Sequence, residues 1–184
     1  QACAIVTGVG TIKEDDPLLN VREAVTQRQP WKVIVDSKLE TPSSAKILKN
    51  LGGAKVIIMC GRLDSKEQQQ KAAIFREQGI EVTEMPNTQG KVDLPKMFAY
   101  LAQEREMNEI HVEAGFKLNG SMLREQCVDE LLLYYAPFFI GDGIGMANIA
   151  PLSHLDQRQD WQIIDQDVLG KDMRLRLIRA DSKI

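Results

Sequence analysis

The sequence has few cysteines, no long apolar run and little net charge, and each absence excludes a class of protein. Its three cysteines are odd in number and far apart, which indicates reduced thiols rather than a disulfide framework. No apolar run approaches the roughly 20 residues that cross a bilayer. A net charge of −3 supplies no positive field for nucleic acid. We expect a cytoplasmic protein that binds neither membranes nor nucleic acid.

What is present is an alternation of strand and helix patterns. Apolar runs at 3–8, 31–37 and 54–60 predict strands that are covered on both faces. A short strand is predicted at 80–86, another strand at 109–115 and a longer one at 129–141. Helices are expected over the segment that ends at Gly79, after Asp93, and over 118–127. Two alternating runs within 161–180 are typical of a hairpin. We therefore predict a single α/β domain, a three-layer sandwich around a mixed, mostly parallel sheet with a C-terminal antiparallel hairpin.

The stretch HVEAGFKLNGSML (111–123) indicates a strand, a turn bracketed by Gly115 and Gly120, and then a helix. The glycine spacing is similar to that of a P-loop, but Ser121 stands where the P-loop lysine would be, which argues against nucleotide hydrolysis. Backbone N–H groups of such a turn can still bind a phosphate. Spacing alone leaves two interpretations open, a phosphate cradle and a plain corner.

The same stretch contains half of a zinc-deaminase signature. His111 and Glu113 fit H-x-E, but no P-C-x-x-C follows, so zinc hydrolysis is excluded. His111 is expected to be a surface or hydrogen-bonded core histidine. Glu113 follows a strand at the place where α/β sheets bind ligands.

A second informative stretch is TGVGTIKEDDPLLNVR (7–22), which lacks the third glycine of a dinucleotide-binding fingerprint. We expect a turn and an acidic segment that stops at a proline. Thr11 and Asp15 would share one face if this piece were helical. Arg22 is either a phosphate ligand or a surface arginine. Asp36 and Ser37, at a strand end, are either a turn cap or cofactor contacts.

Together these stretches resemble one family, the reductase domain of the bifunctional riboflavin-pathway deaminase–reductase. The similar elements are AIVTGVGTIKEDDPLLNVR, VIVDSKLETPSSAKIL, VEAGFKLNGSMLREQCVDELLLYYAPFFIG and DMRLRLIRA, in the expected order over nearly the whole chain. The resemblance implies a dihydrofolate-reductase-like fold. It also implies reduction of 5-amino-6-(5-phosphoribosylamino)uracil with NADPH, and a homodimer.

The resemblance assigns roles to individual positions. Leu19, Arg22 and Glu113 match substrate positions, and Asp15 is the first candidate for a catalytic role in proton transfer or orientation. Arg62 is a candidate for the cofactor 2′-phosphate from its position alone. The matches to cofactor positions are Thr11, Asp15, Ser37, Gly115, Phe116, Lys117, Leu118, Asn119, Gly120 and Ser121.

The family's reductase domain usually begins one strand and one helix earlier, behind a deaminase domain, whereas this sequence begins at Gln1. We expect a reductase domain that lacks this N-terminal segment. Two alternatives remain: a non-catalytic oligomerisation or folding module of a larger chain, and a related reductase of the dihydrofolate type.

Overall fold

The structure, a computed structural model, describes residues 2–22, 26, 28–49 and 53–180. It divides into two compact units, Gln1–Leu118 and Asn119–Ile184. The strands are β1 Ala4–Gly8, β2 Trp31–Val35, β3 Val56–Cys60, β4 Glu81–Glu84, β5 Ile110–Val112, β6 Glu130–Tyr135, β7 Trp161–Leu169 and β8 Asp172–Arg179. The helices are α1 Val9–Asp15, α2 Lys66–Glu77, α3 Leu94–Gln103 and α4 Phe116–Arg124, and 3-10 turns cover Lys46–Leu48 and Leu155–Gln157.

The first unit is built on a five-stranded sheet in the order β4-β3-β2-β1-β5. Each neighbouring pair is parallel. All five residues of β3 are buried, as expected for an apolar strand that is covered on both faces. The chain adds strands on one side of β1 up to β4 and then returns to its other side with β5. The strand order therefore reverses at β1, which is where open α/β sheets bind ligands.

Two helices of this unit begin where the sequence predicts. Ser65 caps α2 in a capping box with Gln68, and Gly79 follows the helix with a φ of 80°. Asp93 caps α3 by accepting a hydrogen bond from the Lys96 amide, and Pro95 lies in the first turn. The cap residues in the sequence are sufficient to locate both helices.

The segment after β1 is helical, so the predicted turn at its start is wrong. Helix α1 runs from Val9 to Asp15, and its residue Ile12 is buried. It ends at Asp16, whose backbone is left-handed (φ 43°, ψ 54°) and whose N–H donates to the Ile12 carbonyl. Burial of a single isoleucine is consistent with a helix too short for a clear periodic pattern.

The second unit contains an antiparallel sheet in the order β6-β8-β7. The predicted hairpin is confirmed: it joins β7 to β8 through Gly170, which has a φ of 67°. The predicted strand over 129–141 is too long, because β6 ends at Tyr135. Pro137 has no N–H for a sheet ladder, which accounts for the early end.

Apolar burial differs between the two units. Of the apolar residues that the structure describes as buried, all except Met122 and Leu123 belong to the first unit. Sixteen of the seventeen large apolar side chains that are exposed in the described part of the chain lie between Leu132 and Met173, in the second unit. The second unit thus carries an extensive apolar surface.

Lys32 in β2 is fully buried, and its Nζ donates to the Ile47 carbonyl at 3.3 Å. Desolvation lowers the pKa of this ammonium below 10.5. We expect Lys32→Met to raise the free energy of unfolding at pH 7 by about 1 kcal/mol or more, because it removes a buried charge that pairs with no charged group among the described residues.

The protonation of Lys32 makes the stability of the wild-type protein depend on pH. Between the lowered folded pKa and 10.5, the unfolded chain binds more protons at Lys32, so wild-type stability rises with pH across that window. Urea unfolding at pH 7 and pH 10 measures the free energy of unfolding of wild type and Lys32→Met. The difference between the two proteins should be smaller at pH 10 than at pH 7. A less stable variant with the same pH slope as wild type would contradict this account.

Gly61 directly follows β3 in a space that admits no side chain. A Cβ there would collide with the Gly90 carbonyl oxygen and lie 2.8 Å from the Ser37 carbonyl oxygen. We expect Gly61→Ala to lower the free energy of unfolding by about 1–3 kcal/mol through overpacking. Gly10→Ala is the matched control, because a Cβ at Gly10 in α1 meets no atom within 4 Å. Thermal unfolding should separate the two variants, and equal midpoints would contradict the packing argument.

Candidate active site at the carboxyl edge of the parallel sheet

The carboxyl ends of β1 and β5 lie side by side, since Ala4, Ile5 and Val6 pair in parallel with Ile110, His111 and Val112. The pairing continues past β5, because the Glu113 amide donates to the Val6 carbonyl at 2.9 Å. The two stretches that carry most of the predicted site residues therefore leave the sheet at the same edge. This edge is the position that the strand reversal at β1 favours for a ligand.

A cavity of about 420 Å³ opens at this edge. Its lining includes Leu19, Arg22 and Glu113, all three residues predicted to bind substrate. The described residues that line it are Ile5, Asp16, Pro17, Leu18, Leu19, Asn20, Arg22, Lys46 and Glu113. Among the described residues, two cationic and two anionic side chains thus line this cavity, a composition suited to a polar, charged ligand.

Asp16 fixes one end of the cavity loop, residues 16–22. Its Oδ1 accepts a hydrogen bond from the Lys46 backbone amide at 2.8 Å, and its Oδ2 lies 3.5 Å from Lys46 Nζ. The backbone hydrogen bond, and after it the charge of Lys46, lower the pKa of the Asp16 carboxyl. The carboxylate form is therefore the one that this loop stabilises.

The Gln29 side chain fixes the other end of the loop. Its Oε1 accepts from the Val21 amide at 2.9 Å, and its Nε2 donates to the Val21 carbonyl at 3.1 Å. Between the two fixed ends, Leu19 has a φ of 45°, a left-handed conformation that is unfavourable for a leucine. Strained residues of this kind persist where their surroundings determine the backbone, often at ligand sites.

Asp36 shapes the segment that carries Lys46. Its buried carboxylate accepts hydrogen bonds from the Glu40 amide (2.9 Å), the Thr41 amide (2.6 Å) and the Thr41 hydroxyl (2.7 Å). Of the two interpretations left open for Asp36, the structure shows the turn cap. Ser37 is likewise engaged, because its Oγ accepts from the Val92 amide at 3.1 Å.

Glu113 lines the cavity with its side chain half exposed, and its Oε1 lies 3.5 Å from His111 Nε2. His111 is on the surface, one of the two positions expected for it. Because the Glu113 carboxylate is accessible, it can accept hydrogen bonds from a ligand in the cavity.

Two predicted cofactor residues approach each other at the same edge. A Cβ on Gly115 would lie 3.6 Å from Thr11 Oγ1, and a Cβ on Gly8 would lie 3.3 Å from Leu118 Cδ2. The predicted glycine-bracketed turn is shorter than expected, because α4 begins at Phe116. Residues 116–118 therefore present first-turn N–H groups of a helix, which also favour a phosphate.

The remaining predicted cofactor residues of α4, at 119–121, belong to the second unit and make their contacts within it. Asn119 Nδ2 donates to the Met146 carbonyl at 2.9 Å, and Ser121 Oγ accepts from Arg124 at 2.9 Å. A Cβ on Gly120 would collide with the backbone of Asn148. Gly120 is thus explained by close packing without any ligand.

Asp15 is exposed in the last turn of α1 and does not line the cavity. Its neighbour Asp16 lines the cavity, as do Asn20 and Lys46, and the sequence assigned no role to these three. The Asp-Asp-Pro motif contained a signal for Asp16. Lys46 carried none, because it reaches the cavity only through the fold of the segment after Asp36.

A second cavity of about 420 Å³, in the second unit, is lined by Leu123, Gln126, Val128, Arg158, Gln159, Asp160, Trp161, Arg179 and Ala180, none of them a predicted site residue. Within 2–22, 26, 28–49 and 53–180, no three histidine, cysteine or acidic residues are grouped to hold a metal. No helix in that part of the chain is long and apolar enough to cross a membrane.

These features define an α/β protein with a ligand crevice at the strand reversal of a parallel sheet. The family model described as the RibD C-terminal domain matches residues 1–170, and the chain belongs to that family.

Relatives and solved structures agree with this assignment. The chain is 30% identical over 187 residues to the riboflavin biosynthesis protein RibD of Bacillus amyloliquefaciens, covering 97% of this chain and 47% of the relative. It is 29% identical to the 2,5-diamino-6-ribosylamino-4(3H)-pyrimidinone 5′-phosphate reductase of Archaeoglobus fulgidus, covering 77% of this chain and 64% of the relative.

An Acinetobacter baumannii RibD structure superposes with a TM-score of 0.78 at 26% identity, covering 97% of this chain and 47% of that one. The chain thus spans about half the length of the RibD proteins that it matches.

Proposed function

We propose that this chain is a reductase that converts 5-amino-6-(5-phosphoribosylamino)uracil into its ribitylamino product with NADPH, in riboflavin biosynthesis. The main support is the cavity that brings Leu19, Arg22 and Glu113 together. The names of the relatives, which include a ribosylaminopyrimidine phosphate reductase, favour the same activity. The alternative of a dihydrofolate-type reductase is disfavoured by Arg22 in the cavity, because a cationic side chain suits a phosphorylated sugar better than a pterin.

Arg22 is the residue to which we assign the substrate phosphate. Its side chain is exposed at the cavity, and it forms no ion pair with any residue in the described ranges. A phosphate monoester carries a charge of about −1.5 to −2 at pH 7, and a guanidinium can bind two of its oxygens. Arg22 can therefore bind the phosphate without breaking an ion pair to any described residue.

The remaining roles follow from the chemistry of the substrate. The ribosylamine must open to an imine before its anomeric carbon can accept a hydride. Leu19 and Glu113 would hold the open-chain sugar and the pyrimidine, and the cavity walls would limit water. Asp15 is proposed to supply or orient a proton from the end of α1, which requires the substrate to extend beyond the cavity lining.

The residues at the sheet edge fit a dinucleotide cofactor. Thr11, Ser37, Gly115 and the first turn of α4 would hold it, with the helix N–H groups facing its phosphates. NADPH would supply the hydride. Arg62, exposed after β3, is proposed to contact the 2′-phosphate that distinguishes NADPH from NADH.

A second candidate, an oligomerisation module, is favoured by the exposed apolar residues of the second unit, such as Phe139 and Ile140. A homodimer would cover surface of this kind. NADPH binding by fluorescence, followed by the loss of NADPH absorbance with the phosphoribosylamino substrate, separates the two candidates. Binding and turnover support the reductase. A stable dimer that neither binds NADPH nor turns over the substrate supports the oligomerisation module.

Arg22→Ala should raise the KM for the phosphorylated substrate by about tenfold to a hundredfold, because it removes a charged hydrogen-bond donor. The KM for a dephosphorylated analogue should stay unchanged. Arg158→Ala is the matched control, since Arg158 is an exposed arginine paired with Asp160 in the second unit. Equal losses with both substrates would refute the phosphate contact.

Asp15→Asn should lower kcat by about a hundredfold, the lower range for a lost proton-transfer group, with a much smaller change in KM. Glu14→Gln, a neighbouring exposed acid, should leave both constants near wild type. Steady-state kinetics with saturating NADPH give both values. An unchanged kcat in Asp15→Asn would remove Asp15 from the mechanism.

A further inference from the structure

We propose that Asp16 is a positioning residue, which holds the cavity loop in place by accepting a hydrogen bond from the Lys46 backbone amide. This inference rests on the proposed function, because Leu19 and Arg22 on that loop are the residues assigned to the substrate. Asp16 itself need not contact the ligand. Its effect would be to fix where those two residues lie.

Both ends of this hydrogen bond are anchored in one core. Asp16 follows α1, whose Ile12 is 2% exposed, and Lys46 lies next to Ile47, which is fully buried. Ile12 and Ile47 belong to the same buried apolar cluster. The 2.8 Å bond from the Lys46 amide to Asp16 Oδ1 therefore ties the start of the loop to a rigid part of the first unit.

The loop needs such a tie because its backbone is strained. Asp16 and Leu19 both have positive φ, 43° and 45°. Aspartate tolerates this conformation better than leucine does, since its short polar side chain can bond locally. The Gln29 side chain holds the loop at Val21, so the Asp16 bond completes a two-point attachment on either side of Leu19.

The hydrogen bond and the ion pair of Asp16 can be separated experimentally. Lys46 Nζ is 3.5 Å from Asp16 Oδ2, and both side chains are about half exposed, at 54% and 42%. Exposed ion pairs of this kind contribute little, and salt screens them. The backbone amide of Lys46, in contrast, loses its acceptor only when the side chain of residue 16 changes.

Four variants of the intact protein test the proposal. Asp16→Ala and Asp16→Gly both remove the acceptor, and Gly also removes the cost of a positive φ. Asp16→Asn keeps an acceptor oxygen and tolerates the left-handed backbone, but has no charge. Lys46→Met removes only the ammonium. We expect Ala and Gly to raise the substrate KM at least tenfold, and Asn to change it less than threefold. Because Lys46 lines the cavity, Lys46→Met is judged by exchange of the Val21 amide, which it should leave at the wild-type rate.

The NADPH KM should stay within threefold of wild type in all four variants, since the cofactor residues lie outside the loop. Glu40→Gln is the matched control, because it removes an exposed ion pair with Lys13 of α1. It should leave the substrate KM unchanged. Recovery of wild-type KM in Asp16→Gly would show that backbone strain, not the hydrogen bond, was responsible, and would overturn the proposal. A loss in Asp16→Asn equal to that in Asp16→Ala would overturn it as well.

Amide hydrogen exchange in the free protein gives a readout that needs no substrate. The Val21 amide, bonded to Gln29, should exchange at least tenfold faster in Asp16→Ala and Asp16→Gly than in wild type and Asp16→Asn. If the variants differ in exchange in this way but the wild-type protein does not turn over the substrate, the proposed function fails while the loop attachment stands. Equal exchange in all variants overturns the attachment whatever the activity.

Discussion

The parallel pairing of β1 with both β2 and β5 is the constraint on which the site depends. Parallel neighbours put their carboxyl ends at one edge, and the chain leaves β1 for α1 and leaves β5 for α4 at that edge. Leu19 and Glu113 are 94 positions apart in the sequence, yet they line one cavity because of this pairing. The pairing of β5 with β1 is therefore what brings Glu113 to the same cavity as Leu19 and Arg22.

Polar contacts then determine the shape of the loops at this edge. The buried Asp36 carboxylate turns the chain after β2, and Lys46 is thereby brought to Asp16. Short hydrogen bonds to backbone amides hold these turns, whereas the ion pairs nearby are exposed and weaker. The cavity is therefore shaped by carboxylates that need not touch the ligand, and this separates residues that position the site from residues that bind.

The sequence was most informative where a pattern was local. Buried strands, the Ser65 and Asp93 caps and the Gly170 hairpin all follow from residues within a few positions. Helix α1 was missed because it spans only seven residues with one buried side chain. Lys46 could not be found from the sequence, because its place at the cavity depends on a contact between residues 30 positions apart. The family resemblance supplied Leu19, which no local pattern singled out, and it added a substrate role to Glu113, which its position after a strand had already marked.

The most direct test is a crystal structure of the intact protein with the ribitylamino product and oxidised cofactor bound. It should show the product phosphate within hydrogen-bond distance of Arg22 and the pyrimidine beside Glu113. The dinucleotide phosphates should lie at the first turn of α4. A product that binds away from the 420 Å³ cavity, with Arg22 and Glu113 uncontacted, would contradict the proposed site.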